Sequence, residues 1–230
     1  MRVLGIETGG TAVGAAVVTE DAVLAEAWLG AEQQHCRELV SLIDWCLGKA
    51  GMGPEGIEGL AVSLGPGSFT GLRIGLATAK ALSLATGVPV VGVPSLEAVA
   101  AAAGPFPGPI CAAVWSRPGE VYAALLAAGD GEDEWEYLLP TSALDPAVLA
   151  ARLAQYGEEV LVTGEAARAV VEAAASAGAL LKLASPVNRR LTASQVAYLG
   201  LRKLAAGRRD DPFRLQPLYL RPPGITRQKG

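Results

Sequence analysis

Apolar and polar positions follow two different periods along this chain. Alternation of apolar and polar residues, or a short apolar run, is typical of a strand, whereas apolar residues three or four apart are typical of a helix. The first half is predicted to contain strands at 2–7, 12–18, 22–29, 59–63 and 89–92, and helices at 34–48, 68–86 and 95–103. The second half is predicted to contain strands at 110–116, 120–128, 134–139, 159–162 and 180–184, and helices at 146–155, 165–177 and 194–206.

Both halves therefore have the element order βββαβαβα. Between them lies Gly104-Pro105-Phe106-Pro107-Gly108-Pro109, which interrupts regular structure and is the best candidate for a hinge. A duplicated order of this kind predicts an α/β protein of two similar lobes, each with a mixed sheet. We expect one lobe at 1–104, a second at 105–207, and a tail at 208–230 that returns to the first lobe.

Composition excludes several classes of protein. Of the 230 residues, 51% are hydrophobic, which is too many for a disordered chain, and the apolar runs are too short for a membrane span. The net charge of −4 argues against a free-standing nucleic-acid binder. The first residues reach Glu7 too soon for a secretory signal, and Cys36 and Cys46 are too far apart on one predicted helix for a disulfide. We expect a cytoplasmic protein with reduced thiols.

A glycine-rich turn at 64–75 links a short apolar strand to a helix. Gly65 and Gly67 allow a sharp turn, and Ser68 stands where a helix N-cap belongs. Gly71 and Gly75 continue into a helix face with almost no side chains. The turn could serve close packing, or its free N–H groups could hold a phosphate, although the lysine of a Walker A loop is missing.

The duplicated order resembles the actin-like/Hsp70/sugar-kinase superfamily, which is built from two ribonuclease-H-like lobes. Within that superfamily, Gly65-Pro66-Gly67-Ser68-Phe69-Thr70-Gly71-Leu72-Arg73-Ile74-Gly75 resembles the signature of the bacterial TsaB (YeaZ) family. Further landmarks that agree are Leu4-Gly5-Ile6-Glu7-Thr8, His35, Gly119-Glu120-Val121-Tyr122 and Pro217-Leu218-Tyr219-Leu220-Arg221. The resemblance covers nearly the whole chain.

The resemblance implies a non-catalytic subunit of the machinery that makes threonylcarbamoyladenosine at tRNA position 37. The implied partners are a metal-containing transferase of the TsaD type and a small ATPase of the TsaE type, with a homodimer forming when the transferase is absent. It implies tRNA contact only through the complex, no membrane, and no intrinsic cofactor, with ATP or ADP allowed at the level of the complex.

The residues of the chain offer little catalytic chemistry. Ser95 and Val99 stand where the transferase has two metal-binding histidines, and His35 is the one histidine of the sequence, so no metal site is expected. Trp115 occupies a position at which TsaB relatives usually have an aspartate. His35 is read as a structural group rather than a base, and the three cysteines as small core residues.

A nucleotide or anion site remains open as a hypothesis. Its candidate residues are Glu7, Thr8, Thr11, Gly65, Gly67 and Ser68. Glu7 could face a phosphate, or it could simply lie in solvent at the end of its strand.

Helices 34–48 and 68–86 carry more apolar surface than one neighbour requires, which favours a partner interface over mutual coverage within a monomer. The predicted interface consists of His35, Leu39, Leu42, Ile43, Trp45, Cys46, Leu72, Arg73, Leu76 and Lys80. The resemblance points to the same helices.

Two other functions stay open. One is an ATP-binding enzyme of the sugar-kinase or ATPase class, and the other is a self-associating scaffold. The basic residues after Asp211, namely Arg214, Arg221, Arg227 and Lys229, could also touch RNA that another subunit holds nearby.

Overall fold

A computed structural model describes residues 1–30, 35–129, 135–176 and 178–220, without the side chains of residues 35–37 and 176. The strands are β1 (Val3–Glu7), β2 (Ala12–Val18), β3 (Val23–Gly30), β4 (Gly59–Gly65), β5 (Val90–Pro94), β6 (Ile110–Arg117), β7 (Glu120–Ala128), β8 (Trp135–Leu144), β9 (Val160–Thr163) and β10 (Leu181–Leu183). The helices are α1 (His35–Lys49), α2 (Phe69–Thr86), α3 (Ser95–Ala102), α4 (Pro146–Leu153), α5 (Ala167–Ala173) and α6 (Ala193–Ala205). The α/β class and the repeated order βββαβαβα are confirmed.

The strands form two five-stranded mixed sheets with equivalent topology. The first sheet has the order β3-β2-β1-β4-β5 and the second has the order β10-β9-β6-β7-β8. In each sheet the first three strands of the half form an antiparallel meander, and the later strands join parallel to its first strand. The sheets are therefore related as the duplicated sequence pattern predicts.

The helices are shared between the halves in a way that the chain order does not suggest. Helices α1 and α2 cover one face of the first sheet, but its other face is covered by α6, the last helix of the second half. Helix α3, from the first half, packs on β6 and β7 of the second sheet. One hydrophobic core consequently contains buried residues of both sheets together with those of α3 and α6.

Small residues allow α6 to lie very close to the first sheet. A Cβ on Gly5 of β1 would overlap the backbone of Ala193 and the side chain of Ala197. A Cβ on Gly200 of α6 would overlap the side chain of Ala61 in β4. This close approach leaves no voids between α6 and the first sheet. A void there would lower the stability of the protein, because the atoms that line it would lose packing contacts.

Local signals at the element ends behave as their chemistry predicts. The Ser68 hydroxyl accepts the N–H of Gly71 at 3.2 Å, and the Asp145 carboxylate accepts the N–H of Ala147 at 2.8 Å, so both residues cap their helices.

Strand β8 continues to Leu144, past the predicted end at 139. Pro140 lies within it, which an edge strand tolerates because one row of its backbone groups has no partner strand.

The segment after α6 runs back along the first sheet. The N–H of Asp210 donates to the carbonyl of Val90 at 2.9 Å, and the N–H of Gly92 donates to the Asp210 carboxylate at 2.8 Å. Further on, the N–H of Leu218 donates to the carbonyl of Leu64 at 2.8 Å. The chain thus follows edge strand β5 and reaches the glycine-rich turn. Arg221, Arg227 and Lys229 lie outside the described residues.

Candidate functional site

The glycine-rich turn packs directly against the end of β1. A Cβ on Gly67 would overlap the carbonyl oxygen of Gly9, and one on Gly71 would overlap the carbonyl oxygen of Thr8. The N–H of Ser68 donates to the Gly9 carbonyl at 2.8 Å. The bare helix face is therefore explained by close packing on Thr8 and Gly9. Gly65, at the start of the turn, has a φ of 101°, a conformation that glycine adopts readily.

Glu7 lies at the end of β1 and is 2% exposed, so it does not lie in solvent. Its Oε1 atom accepts the N–H of Gly9 at 2.5 Å and the N–H of Gly10 at 2.8 Å. Two successive backbone N–H groups that converge on one oxygen form the kind of nest that binds anions. The chain therefore fills this nest with its own carboxylate.

The environment of Glu7 favours a protonated carboxyl group. Burial raises its pKa from 4.5 to about 7, while the neighbouring Ser63 hydroxyl and the N–H groups of Gly10 and Gly9 lower it and the Glu165 charge raises it. The Oε2 atom and the Ser63 hydroxyl are both buried, and among the described residues neither has a partner within hydrogen-bonding geometry. A proton on Oε2 removes the cost of a buried charge at this position.

A cleft of about 350 Å³ opens beside this turn, between the two sheets. The first half contributes residues 9–11 and 66–69, and the second half contributes Val114, Trp115, Ser116, Tyr122, Glu165 and Leu191. The Thr11 hydroxyl donates to Oε1 of Glu165 at 2.6 Å and so links the two halves across the cleft.

The predicted anion-site residues divide into two groups within this region. Thr11, Gly67 and Ser68 line the cleft. Glu7, Thr8 and Gly65 are buried and do not line it, and within the described residues the Thr8 hydroxyl has no hydrogen-bond partner. The structure brings these residues to one end of the first sheet. The neighbouring backbone N–H groups of Gly9 and Gly10, and that of Ser68, already donate to acceptors within the chain.

Two described thiols are unsuited to nucleophilic chemistry. Cys46 and Cys111 are fully buried, and burial raises the pKa of the first to about 11 and of the second to about 12. The thiolate is the reactive form, so little of it exists at neutral pH. Ser95 and Val99 are also buried, at the start of α3. Within the described residues no three His, Cys, Asp or Glu side chains cluster as metal ligands would.

Half of the predicted interface residues are not available to a partner. Leu39, Ile43, Cys46 and Leu76 are buried in the core between α1, α2 and the first sheet. Leu72 is buried beside Gly9 and Gly65. The apolar arc of these helices is wider than a stripe because α1 and α2 contact each other as well as the sheet. A charge at Leu39 or Ile43 would consequently disrupt the fold rather than a surface. The side chain of His35 lies outside the described residues.

The remaining predicted interface residues are accessible. Trp45 is 48% exposed with the Lys49 ammonium 5.7 Å from its ring centroid, and Leu42 is partly exposed. Arg73 is exposed on α2, where its guanidinium lies 3.9 Å from the centroid of Phe69, and its Nε donates to the Tyr219 hydroxyl at 2.9 Å. Lys80 is partly exposed.

Leu42 and Trp45 form one wall of a groove that the sequence analysis missed. Its other wall is edge strand β3, through Trp28 and Leu29, and its volume is about 520 Å³. Trp28 and Leu29 are adjacent and both exposed, so they break the alternation of a half-buried strand. The signal available in the sequence was the adjacency of these two large apolar residues in a predicted strand. Glu165, which no motif marked, was also missed.

The comparisons with known proteins agree with this architecture. Residues 29–197 match the family model of TsaD, tRNA N6-adenosine threonylcarbamoyltransferase. The chain is 30% identical over 224 residues to the tRNA threonylcarbamoyladenosine biosynthesis protein TsaB of Bacillus subtilis, covering 96% of this chain and 94% of that protein.

Two solved structures show the fold. YeaZ from Pseudomonas aeruginosa superposes with a TM-score of 0.77 at 22% identity, covering 95% of this chain and 99% of that one. The ROK hexokinase of Thermus thermophilus superposes with a TM-score of 0.53 at 14% identity, covering 90% of this chain and 100% of that one. The two-lobed, ribonuclease-H-like arrangement is thereby confirmed.

No helix in the described part of the chain is both long and apolar enough to cross a membrane. The specific glycine-rich signature, the duplicated fold and a relative of nearly equal length all lead to one assignment. The chain belongs to the TsaB (YeaZ) family of tRNA threonylcarbamoyladenosine biosynthesis proteins.

Proposed function

We propose that this chain is a non-catalytic subunit of a tRNA threonylcarbamoyladenosine transferase complex, and that it binds the TsaD-like transferase through the groove between β3 and α1. The observation that carries the proposal is the cluster of apolar side chains along that groove, in which Trp28, Leu29 and Trp45 are exposed and Leu42 is partly exposed. Contiguous exposed apolar surface of this kind marks an interaction site. Tryptophan is also the residue type most enriched among side chains that dominate binding energy.

The relation to the TsaD family supports a transferase of similar fold as the occupant. This chain matches the TsaD family model over more than half of its length, so the two proteins share a fold. A surface that pairs two copies of one fold through a twofold axis can pair two relatives in nearly the same way. The same groove then accounts for a homodimer when the transferase is absent.

The absence of ordinary catalytic chemistry in the described residues supports the non-catalytic role. Buried Cys46 and Cys111 have raised pKa values, and Trp115 cannot ligate a metal ion. The chain acts in this proposal by holding the transferase in a competent arrangement, which requires tighter binding to that arrangement than to others.

The remaining features of the complex are part of the same proposal. A TsaE-like ATPase completes the assembly, tRNA is contacted through the complex, and ATP or ADP is used at that level. The assembly works in the cytoplasm.

Replacing Trp45 by serine is expected to weaken binding of the purified transferase at least about tenfold, since a central tryptophan commonly contributes more than the 1.4 kcal/mol that a factor of ten represents. Because Trp45 is 48% exposed, the variant should unfold at nearly the temperature of the unmodified chain. Calorimetric titration of the transferase measures the affinity, and circular dichroism measures the unfolding temperature.

The matched control is Val148→Ser, on α4 of the second half, where the side chain is 47% exposed. Its affinity for the transferase should be unchanged. Equal affinity of the Trp45 variant and the unmodified chain would refute the assignment of the groove. A transferase-independent dimer that persists in excess transferase would favour the scaffold function instead.

A further inference from the structure

The cleft between the two sheets has a composition unlike that of a polyphosphate site. At about 350 Å³ it lies near the lower end of the range of about 300 to 1,000 Å³ that is typical of small-molecule pockets. Within the described part of the chain, the residues that line it include one acid, Glu165, and no lysine or arginine. A phosphate placed there would meet a carboxylate and no lining cation.

Three of the backbone donors beside the cleft are already engaged. The N–H groups of Gly9 and Gly10 donate to Glu7, and that of Ser68 donates to the Gly9 carbonyl. Arg73, on the same helix as the lining residue Phe69, stacks on Phe69 and donates to Tyr219. A phosphate that used these three donors would have to displace contacts that the chain makes with itself, which weakens the usual advantage of a preformed anion site.

The walls of the cleft instead favour a flat ring. Phe69, Trp115 and Tyr122 all line it, and Trp115 is 43% exposed although it lies on a concave surface. Aromatic side chains bind other rings by offset stacking, and nucleobases stack on them without regard to sequence. Trp115 therefore offers a stacking face to a ring that enters the cleft.

The polar groups of the cleft suit ligand N–H and O–H donors. The Glu165 carboxylate accepts the Thr11 hydroxyl with one oxygen, and a carboxylate has about four acceptor positions in total. An exocyclic amino group or a sugar hydroxyl can donate to the positions that remain. A phosphate has only acceptor oxygens to offer when it is ionised.

We propose that this cleft binds a planar heteroaromatic ligand that carries N–H or O–H donors and no phosphate, that is, a molecule of the nucleoside class. The ring stacks on Trp115, and its donors face Glu165. This site is separate from the groove between β3 and α1, so the proposal does not depend on the proposed partner role.

The test is a calorimetric titration of the full-length chain with adenosine, AMP, ADP and ATP, the last two with and without magnesium. Adenosine is expected to bind most tightly, with affinity falling at each added phosphate and at least about tenfold weaker binding of ATP overall. A conventional nucleotide site gives the opposite order. Affinity that rises with phosphate number, or that is lost on Arg73→Ala, would overturn the proposal, as would the absence of adenosine binding at millimolar concentration.

Variants separate the ring from the charge. Trp115→Ser should weaken adenosine binding about tenfold or more, whereas Trp115→Phe, which keeps a ring, should retain most of it. Glu165→Gln keeps an acceptor for Thr11 and removes the charge, so it should reduce the preference for adenosine over ATP. Equal binding by Trp115→Ser and the unmodified chain would contradict the stacking role.

The control variant is Phe213→Ser, which removes a 76% exposed ring outside the cleft and should bind adenosine normally. Thermal unfolding of every variant by circular dichroism separates lost binding from lost structure. Affinity for the transferase is measured on the same variants. Lost adenosine binding with intact transferase binding identifies the cleft as an independent site, and loss of both would refute that independence.

Discussion

At the scale of single residues, Glu7 shows how tertiary context changes the chemistry of a carboxylate. Its position at the end of β1 suggested a phosphate-facing acid or a solvated strand end. In the structure, one oxygen accepts the N–H groups of Gly9 and Gly10, and the other is buried with no hydrogen-bond partner in the described part of the chain. The cost of a buried charge outweighs the lowering influence of the Ser63 hydroxyl and the two backbone N–H groups, which is why the pKa rises to about 7.

A pH dependence of stability follows from this raised pKa. In the unfolded chain Glu7 ionises near pH 4.5, whereas the folded state holds the proton until about pH 7. Between these values the folded state binds more protons, so the free energy of unfolding falls as pH rises, by about 3 kcal/mol at most for a shift of this size. Glu7→Gln should remove this slope, because an amide keeps an acceptor for the two N–H groups and carries no charge.

Urea unfolding of both proteins between pH 4.5 and 8 measures the effect. The variant should match or exceed the stability of the unmodified chain at pH 8. Identical pH slopes for the two proteins would show that Glu7 has the same pKa in the folded and the unfolded chain, which would contradict the raised value.

At the scale of elements, the glycines of α2 are required by packing rather than by helix formation. Glycine is a poor helix former, and alanine is favoured over it by about 1 kcal/mol in a helix interior. Gly71 nevertheless lies in the first turn of α2, because any Cβ there would overlap the Thr8 carbonyl oxygen. A ligand cradle is not needed to explain the sequence of this face.

Gly71→Ala should therefore destabilise the protein by roughly 1 to 3 kcal/mol, the usual effect of forcing an atom into a packed site. Gly48→Ala is the matched control, since Gly48 is an exposed glycine of α1 with nothing near its Cβ position. That change should stabilise the protein by up to about 1 kcal/mol. Denaturant unfolding of the two variants should give shifts of opposite sign, and a stabilising Gly71→Ala would contradict the close contact with Thr8.

At the scale of the whole molecule, the exchange of α3 and α6 between the halves determines what can fold alone. The lobes proposed at 1–104 and 105–207 each place one helix on the sheet of the other. Leu201 and Leu204 of α6 are buried against the first sheet and the shared core. A fragment ending at 104 would expose that face of the sheet to water.

We expect the fragment 1–104 to be insoluble or unfolded when expressed alone, and to regain structure when it is produced together with 105–230. Exposure of a buried face of this size removes the hydrophobic stabilisation that α6 supplies. Solubility and far-ultraviolet circular dichroism of the fragment, alone and with its complement, measure the outcome. Cooperative unfolding of 1–104 by itself would show that the first lobe is independent.

Much of this architecture could be predicted from the sequence, for reasons that are local. Element order follows from hydrophobic period, and the caps at Ser68 and Asp145 depend on residues two or three positions away. The exposed pair of Trp28 and Leu29 was missed because a strand of mixed pattern does not reveal which of its residues lie at the edge of a sheet. Leu39 and Ile43 were assigned to a surface because helical periodicity identifies an apolar face but not what covers it.

The sequence by itself therefore determined the α/β class, the duplicated order and the family of this chain, since these reside in short patterns and in one specific signature. Only the tertiary structure decided that α6 covers the first sheet, that the Glu7 carboxyl accepts the N–H groups of Gly9 and Gly10, and that the Thr11 hydroxyl donates to Glu165. The physical reason is distance along the chain: Thr11 and Glu165 are 154 residues apart, and no local pattern encodes a contact of that separation.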